Sequence, residues 1–181
     1  MRDDDHGGEK GEVNKVCTPL PSQVGTDLLT HSPIETRLSA CPDASIRILE
    51  VLQAISPLGG AVCCNLLVEL LRQHTAQPVS ILGPWITRRD LSHFVCDGRL
   101  CVPRFQIDIA NARVRTGVAI VIAELGAILD DLEIVEWFAS PNLWLGGAPP
   151  ATMLHKNAAD VVGAARADRF IFRGSARDGH D

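Results

Sequence analysis

The stretch Trp137-Phe-Ala-Ser-Pro-Asn-Leu-Trp-Leu-Gly-Gly-Ala-Pro-Pro150 makes backbone demands that few surface loops share. Pro141 stops a short helix, Asn142 favours a turn, and Gly146-Gly147 permit backbone angles that other residues resist. Pro149 and Pro150 then suit the first turn of a following helix. The stretch is therefore either a structural turn between two packed helices or an apolar protrusion that a partner protein binds.

We call residues 137–150 the corner. Segments with helical periodicity precede and follow it. Upstream, Thr116 precedes a nearly all-apolar segment whose large residues repeat at intervals of three and four as far as Leu129. Asp130-Asp131 ends that segment and starts a second helix, which runs to about Ala139 and carries Trp137 toward its polar side. Downstream, Asn157 can cap a last, alanine-rich helix. We therefore expect a C-terminal helical domain over residues 116–172 and a mobile tail over 173–181.

The N-terminal part divides into two segments. Residues 1–42 mix acids, glycines and prolines without periodicity, and this composition predicts a disordered acidic tail. From Asp43, the spacing of Ile48, Leu49, Leu52 and Ile55 predicts one amphipathic helix. A second helix is predicted from the apolar residues Val62, Leu66, Leu67, Leu70 and Leu71. Two short helices of this kind cannot bury both of their faces alone, so we expect the pair at 43–82 to support dimerisation.

The central segment 83–115 carries an arginine-rich pattern. A β-like piece at 79–82 precedes Thr87, which we interpret as the N-cap of a short helix, and Asp97-Gly98 predicts a tight turn. The strand that follows contains Pro103, which confines it to a sheet edge or a strand end. This order predicts a degenerate helix-turn-helix with a wing-like element. Its candidate DNA-binding residues are Arg88, Arg89, Arg99 and Arg104.

Composition argues against several classes of protein. No apolar run reaches the length of about 18 residues that a membrane span needs, and the N-terminus lacks a secretory signal, so we expect a cytoplasmic protein with no membrane partner. The six cysteines form no C-x-x-C pair, and His93 with Cys96 and Cys101 lacks a fourth ligand, so no metal is expected. No nucleophile, phosphate-loop or metalloprotease motif occurs, so we expect neither catalysis nor a cofactor.

Two motifs follow one another between about Trp85 and Arg169. The first is Val102-Pro-Arg-Phe-Gln-Ile-Asp108, after Asp97-Gly-Arg-Leu100, and the second is the W-F-x-x-P-N-x-x-L-G-G-x-x-P corner, with Ala164-Ala-Arg-Ala-Asp168 beyond it. In this order and spacing they resemble the Xre/MbcA/ParS-like antitoxins of type II toxin–antitoxin systems, over about half of the chain.

The resemblance implies a mainly α-helical protein with small helical domains and a short hairpin, whose C-terminal domain binds a RES-domain toxin. Such a toxin consumes NAD or uses it to modify a target, and the antitoxin would inhibit it by occluding its active site, with segment 166–174 as the inhibitory end. The alternative function is a DNA-binding transcriptional autorepressor acting through the basic segment 84–115 on operator DNA. We expect a homo-oligomer or a hetero-oligomer with the toxin. Carried over residue by residue, the partner-binding set is Trp137, Pro141, Asn142, Trp144, Leu145, Gly146, Gly147, Pro149, Leu154, Ala165, Arg166, Asp168, Arg169 and Phe170.

Overall fold

The computed structural model describes residues 42–175, so nearly all of the expected acidic tail and residues 176–181 lie outside the described residues. The described chain is mainly helical with small antiparallel sheets, as the sequence predicts. Its helices are α1 (Pro42–Ile55), α2 (Cys64–Arg72), α3 (Pro78–Thr87), α4 (Val118–Leu125), α5 (Asp131–Ala139), α6 (Pro150–Met153) and α7 (Ala158–Ser175). Its strands are β1 (Ala61–Cys63), β2 (Phe94–Cys96), β3 (Arg99–Pro103), β4 (Ile107–Asp108) and β5 (Arg113–Val114).

The larger sheet has the strand order β1-β3-β2, and both pairings are antiparallel. The predicted tight turn is confirmed: Asp97 and Gly98 join β2 to β3 with φ angles of 50° and 68°, the positive values that a two-residue hairpin of this kind requires. The predicted strand over residues 99–108 is confirmed in part, since β3 ends at Pro103 and a 3-10 turn at Arg104–Gln106 separates it from β4. Strand β3 is the central strand, and Pro103 occupies its last position, where a missing N–H costs little.

Both faces of this sheet are covered, because neighbouring residues of a strand point to opposite sides. On one face, Ala61 and Cys101 join a main core built with α1, α4, α5, α6 and α7. On the other, Val62 and Val102 join a second core built with α2 and α3. The sheet therefore lies between two hydrophobic cores and belongs to both.

The two N-terminal helices belong to different cores. Helix α1 packs chiefly against α5 and α2 against α3. In α1, Val51 and Ile55 are fully buried, whereas Leu49 is 54% exposed, so its predicted place on the buried face is wrong. Val62 lies in β1 and not in the second helix, because its backbone pairs with Val102. Dimerisation through 43–82 stays a prediction.

Helix α3 differs from the sequence prediction. The β-like piece at 79–82 and the N-cap at Thr87 are both wrong, since one helix spans Pro78–Thr87 and the chain leaves it through Arg89 with φ 56°. Pro78 opens the helix, a position where its missing N–H is harmless. Leu82 and Trp85 are buried in the second core, so tertiary packing maintains the helix despite Pro84 inside it.

The C-terminal helices follow the predicted order with adjusted boundaries. Helix α4 begins after Gly117, not Thr116, and ends at Leu125. Asp130 is the N-cap of α5 and forms a full capping box with Glu133, which confirms the predicted helix start. Asn157 accepts a hydrogen bond from the backbone N–H of Asp160 at 3.4 Å and so caps α7 as predicted. Helix α7 continues through Ser175, so residues 173–175 of the expected tail are helical.

Candidate functional site

The carboxylate of Asp168 accepts hydrogen bonds from three side chains at the corner. Trp137 Nε1 and Asn142 Nδ2 donate hydrogen bonds to Asp168 Oδ2 at 2.7 and 2.9 Å. Trp144 Nε1 donates to Asp168 Oδ1 at 2.8 Å. We call these four residues the Asp168 cluster. Hydrogen bonds to an ionised acceptor are stronger than neutral ones, so the cluster fixes the orientation of both indole rings.

The backbone of the corner folds back on itself to present this cluster. The side-chain oxygen of Asn142 accepts the backbone N–H of Trp144 at 3.0 Å, and its backbone oxygen accepts that of Gly147 at 2.9 Å. Gly146 and Gly147 have φ angles of 64° and 83°, a region that other residues rarely adopt. The sequence P-N-x-x-L-G-G therefore forms a closed loop, which is stabilised by the hydrogen bonds that Asn142 accepts. Asn142 itself is 7% exposed.

An apolar cleft of about 440 Å³ opens beside the cluster. We call it the corner cleft. The loop supplies Leu143, which is 93% exposed, and Trp144, which is 58% exposed. Helix α7 supplies Ile171 and Phe172, which are 51% and 48% exposed. The complete lining is Trp137, Ser140, Pro141, Asn142, Leu143, Trp144, Asp168, Ile171 and Phe172.

Ion pairs join α7 to α4. Glu124 of α4 accepts a hydrogen bond from Arg166 Nε at 2.9 Å and forms a second ion pair with Arg169. The hydrogen bond from Arg166 lowers the pKa of Glu124 below its ordinary value of 4.5; partial burial opposes this effect, and the charges of Arg169 and Arg173 add to it. Arg166 and Arg169 therefore anchor the helix that carries Asp168.

The predicted partner-binding residues occupy three environments. Trp137, Pro141, Asn142, Trp144 and Asp168 line the corner cleft. Gly146, Gly147, Arg166 and Phe170 are exposed, and Leu145, Pro149 and Arg169 are half-buried.

The remaining two, Leu154 and Ala165, are 6% and 0% exposed and lie in the main core, so they support the surface from beneath.

The predicted partner-binding set lacks four residues that line the cleft: Ser140, Leu143, Ile171 and Phe172. The last two fall within segment 166–174, which the resemblance gives as the inhibitory end. Sequence reasoning also missed the role of Asp168 as a shared acceptor. A signal for this role was present: Val161, Ala164, Ala165 and Asp168 follow the spacing of one helical face, and the first three are buried. A carboxylate that continues a buried stripe needs hydrogen-bond donors from another element.

The four candidate DNA-binding arginines lie outside the α-helices of the described chain. Arg88 pairs with Asp90 at 3.1 Å, and Arg89 pairs with Asp131 of α5 at 3.1 Å. Arg99 is exposed at the β2–β3 turn, and Arg104 is half-buried after β3. None of the four therefore lies on a helix that could serve as a recognition helix within residues 42–175.

Gln106, from the first motif of the resemblance, has a structural place. Its side chain accepts the backbone N–H of Ser92 at 2.8 Å and donates to the backbone oxygen of Ser92 at 2.9 Å. Both residues are fully buried. This two-way bond ties the irregular segment after α3 to the chain after β3.

Comparison of the chain with models of known protein families, with curated proteins and with solved structures finds no match. Within residues 42–175, no group of three or more histidine, cysteine or acidic side chains is placed to hold a metal ion. None of the helices in that range combines the length and the apolar character that crossing a membrane would require.

Proposed function

We propose that this protein is an antitoxin that binds a RES-domain toxin through the corner cleft and the adjoining end of α7. The observation that carries the proposal is a concentration of exposed apolar side chains. Of ten large hydrophobic residues exposed in the described chain, five belong to the corner or to the end of α7: Leu143, Trp144, Phe170, Ile171 and Phe172. Contiguous apolar surface of this kind, rich in aromatic side chains, is typical of protein-binding sites.

The Asp168 cluster supports this proposal because it prepares the surface before any partner arrives. Trp144 is held through its indole N–H and its backbone N–H, although more than half of its side chain is exposed. A side chain that is already ordered loses less conformational entropy on binding, so more of its contact energy contributes to affinity. Tryptophan is also among the residues most often found at the energetic centre of an interface.

Inhibition would follow from the position of the α7 end beside the cleft. Ile171 and Phe172 line the cleft, so a toxin bound there would also contact the last turns of α7. In the antitoxins that this sequence resembles, the chain end reaches the toxin's active site. We therefore propose that residues after Asp168 occlude the NAD pocket of the toxin.

The test of binding uses two leucine-to-glutamate variants. Leu143→Glu places a charge in the cleft at a side chain that is 93% exposed, and Leu49→Glu makes the same change on α1 at a side chain that is 54% exposed. The proposal requires that a neighbouring gene encode a RES-domain toxin. We expect Leu143→Glu to lose copurification with that toxin and to leave its NAD consumption uninhibited. Leu49→Glu should behave as the unaltered protein. Equal inhibition by both variants would refute the cleft as the binding site. Leu145 is less suitable, since it packs against the main core.

A truncation after Arg169 separates binding from occlusion. It keeps Asp168 and both arginines that pair with Glu124, so the corner retains its hydrogen bonds. Because the truncation also removes Ile171 and Phe172 from the cleft lining, we expect the truncated chain to bind the toxin more weakly, through Leu143 and Trp144. NAD consumption should resume in part even when all of the toxin is bound. Full inhibition by the truncated chain would contradict occlusion by the α7 end.

DNA binding is the second candidate function, and one topological observation favours it. The order α1-β1-α2-α3-β2-β3, with the sheet order β1-β3-β2, is that of a winged helix-turn-helix, in which α3 would be the recognition helix. Helix α3 carries no lysine or arginine, so phosphate contacts would fall to Arg88, which follows α3, and to Arg99 at the β2–β3 turn. Affinity for the upstream DNA should then fall with salt, and Arg88→Ala with Arg99→Ala should reduce the slope by about 2. An unchanged slope would remove this candidate.

A further inference from the structure

The sheet between the two cores holds two cysteines at directly opposed positions. Cys63 of β1 is the register partner of Cys101 of β3, and neither cysteine is part of a disulfide. Residues opposite each other in an antiparallel pair point to the same face, so the two thiols share the main-core side of the sheet. Cys63 is half-buried and Cys101 is 1% exposed.

The hydrogen-bond pattern identifies the type of this pair. The backbone N–H of Arg104 donates to the oxygen of Gly60 at 2.9 Å, and these two residues continue the register of β1 and β3. Hydrogen-bonded and non-hydrogen-bonded pairs alternate along an antiparallel ladder. Counting from Gly60, the pair Ala61–Pro103 is non-hydrogen-bonded, as a proline requires, and so is the pair Cys63–Cys101.

This pair type has the dimensions of a disulfide. Opposed Cα atoms in a non-hydrogen-bonded pair lie about 4.5 Å apart, with their side chains close together. A disulfide needs a Cα separation of about 4.4–6.8 Å. Cys96 is less well placed, because the residue opposite Cys101 on β2 is Phe94, two positions earlier. Diagonal neighbours of that kind lie about 7–8 Å apart.

We propose that Cys63 and Cys101 are an oxidation site that closes a cross-strand disulfide when the protein meets a peroxide. The Cys63 thiolate attacks one peroxide oxygen, which gives a sulfenic acid at Cys63 and releases water after protonation of the leaving hydroxide. The Cys101 sulfur then attacks the sulfenic sulfur, forms the S–S bond and releases a second water. Two thiols are oxidised by two electrons, and the peroxide is reduced to two waters.

The solvent exposure of each thiol determines its role in these two reaction steps. Cys63 is the one that solvent reaches, so it meets the oxidant first, and the buried Cys101 resolves the sulfenic acid before further oxidation. The neighbouring Cys64 competes poorly, because burial, with a smaller contribution from Cys63, raises the pKa of its thiol and lowers its thiolate fraction. The product would join β1 to β3 covalently around the segment that holds α2, α3 and β2.

The test treats the reduced full-length chain with dilute hydrogen peroxide, alkylates the remaining thiols and maps tryptic peptides without reductant. Cleavage after Arg99 separates Cys96 from Cys101, whereas Cys63 and Cys64 stay on one peptide. We expect a peptide linked between Cys101 and the Cys63–Cys64 peptide, which dithiothreitol releases.

Two matched variants assign the link to one thiol. Cys64→Ser should retain it and Cys63→Ser should lose it, with unchanged far-ultraviolet circular dichroism in both. A link that survives in Cys63→Ser, a dominant Cys96–Cys101 link, or six alkylated thiols after oxidation would overturn the proposal. None of these results depends on the identity of a toxin.

Discussion

Replacing Asp168 with alanine tests the reasoning about the corner, and its cost can be worked from the structure. Three donors lose their acceptor, but they differ in access to water. Trp144 is 58% exposed, so water can satisfy its indole N–H. Asn142 is 7% exposed and Trp137 is half-buried, so their donors are left without a good partner. An unsatisfied buried donor costs about 1–3 kcal/mol, and the half-buried Trp137 donor should cost about 1 kcal/mol, at the low end of that range. Together the two predict a loss of about 2–4 kcal/mol in the free energy of unfolding.

Urea denaturation followed by far-ultraviolet circular dichroism measures this loss. With a slope of about 2 kcal/mol per molar urea, the transition midpoint should fall by about 1–2 M. Asp160→Ala is the matched control, since it removes an exposed carboxylate in the first turn of the same helix. It should cost about 0.5–1 kcal/mol, because it removes a favourable charge from the helix N-terminus and one hydrogen bond to Asn157.

The amide variant Asp168→Asn refines the test. Its side chain keeps one acceptor oxygen but turns an NH₂ group toward at least one of the three donors, so its stability should lie between those of the alanine variant and the unaltered protein. If Asp168→Ala costs no more than Asp160→Ala, the cluster does not stabilise the corner, and the argument that Trp144 is held in place before binding fails with it.

Two further predictions concern buried and ionised groups elsewhere. Gln106→Leu leaves the backbone N–H and oxygen of Ser92 without a partner in a fully buried place. At about 1–3 kcal/mol for each group, the free energy of unfolding should fall by about 2–6 kcal/mol in the same urea assay, and a loss below about 1 kcal/mol would contradict this. The lowered pKa of Glu124 means that its stabilising effect is fully present above its ordinary pKa of 4.5 and is lost as the pH falls through the lower folded value. Glu124→Gln should therefore be less stable than the unaltered protein at neutral pH, and it should lose less stability as the pH falls below 4.5. An equal loss of stability in acid for both proteins would count against the ion pairs.

The parts of the fold that the sequence predicted well are those with a local cause. The start of α5 follows from Asp130 and Glu133, which satisfy each other's backbone N–H groups within four residues. The β2–β3 turn follows from Asp97-Gly98, since few other residue pairs accept two positive φ angles. The part of the corner at 141–150 is likewise determined by its own prolines, asparagine and glycines.

The parts that the sequence could not predict depend on distant residues. Pro84 normally disfavours a helix interior, and only the second core, which buries Leu82 and Trp85, explains why α3 continues through it. The acceptor shared by Trp137 and Trp144 lies on α7, beyond a turn and another helix. No sequence pattern indicates which of several acidic residues would accept the hydrogen bonds of those indole N–H groups.

The position of the sheet between two cores bears on how the chain can be divided. The Phe105 ring, which follows β3, lies 5.1 Å from the ring of Phe138 on α5, and Val51 of α1 is buried in the same core. A fragment beginning at residue 116 would lack both neighbours and would expose the apolar side of α5 to water. Heating should therefore melt residues 42–175 in one cooperative transition, and a corner excised with only its adjacent helices would not retain the shape that it has in the intact protein.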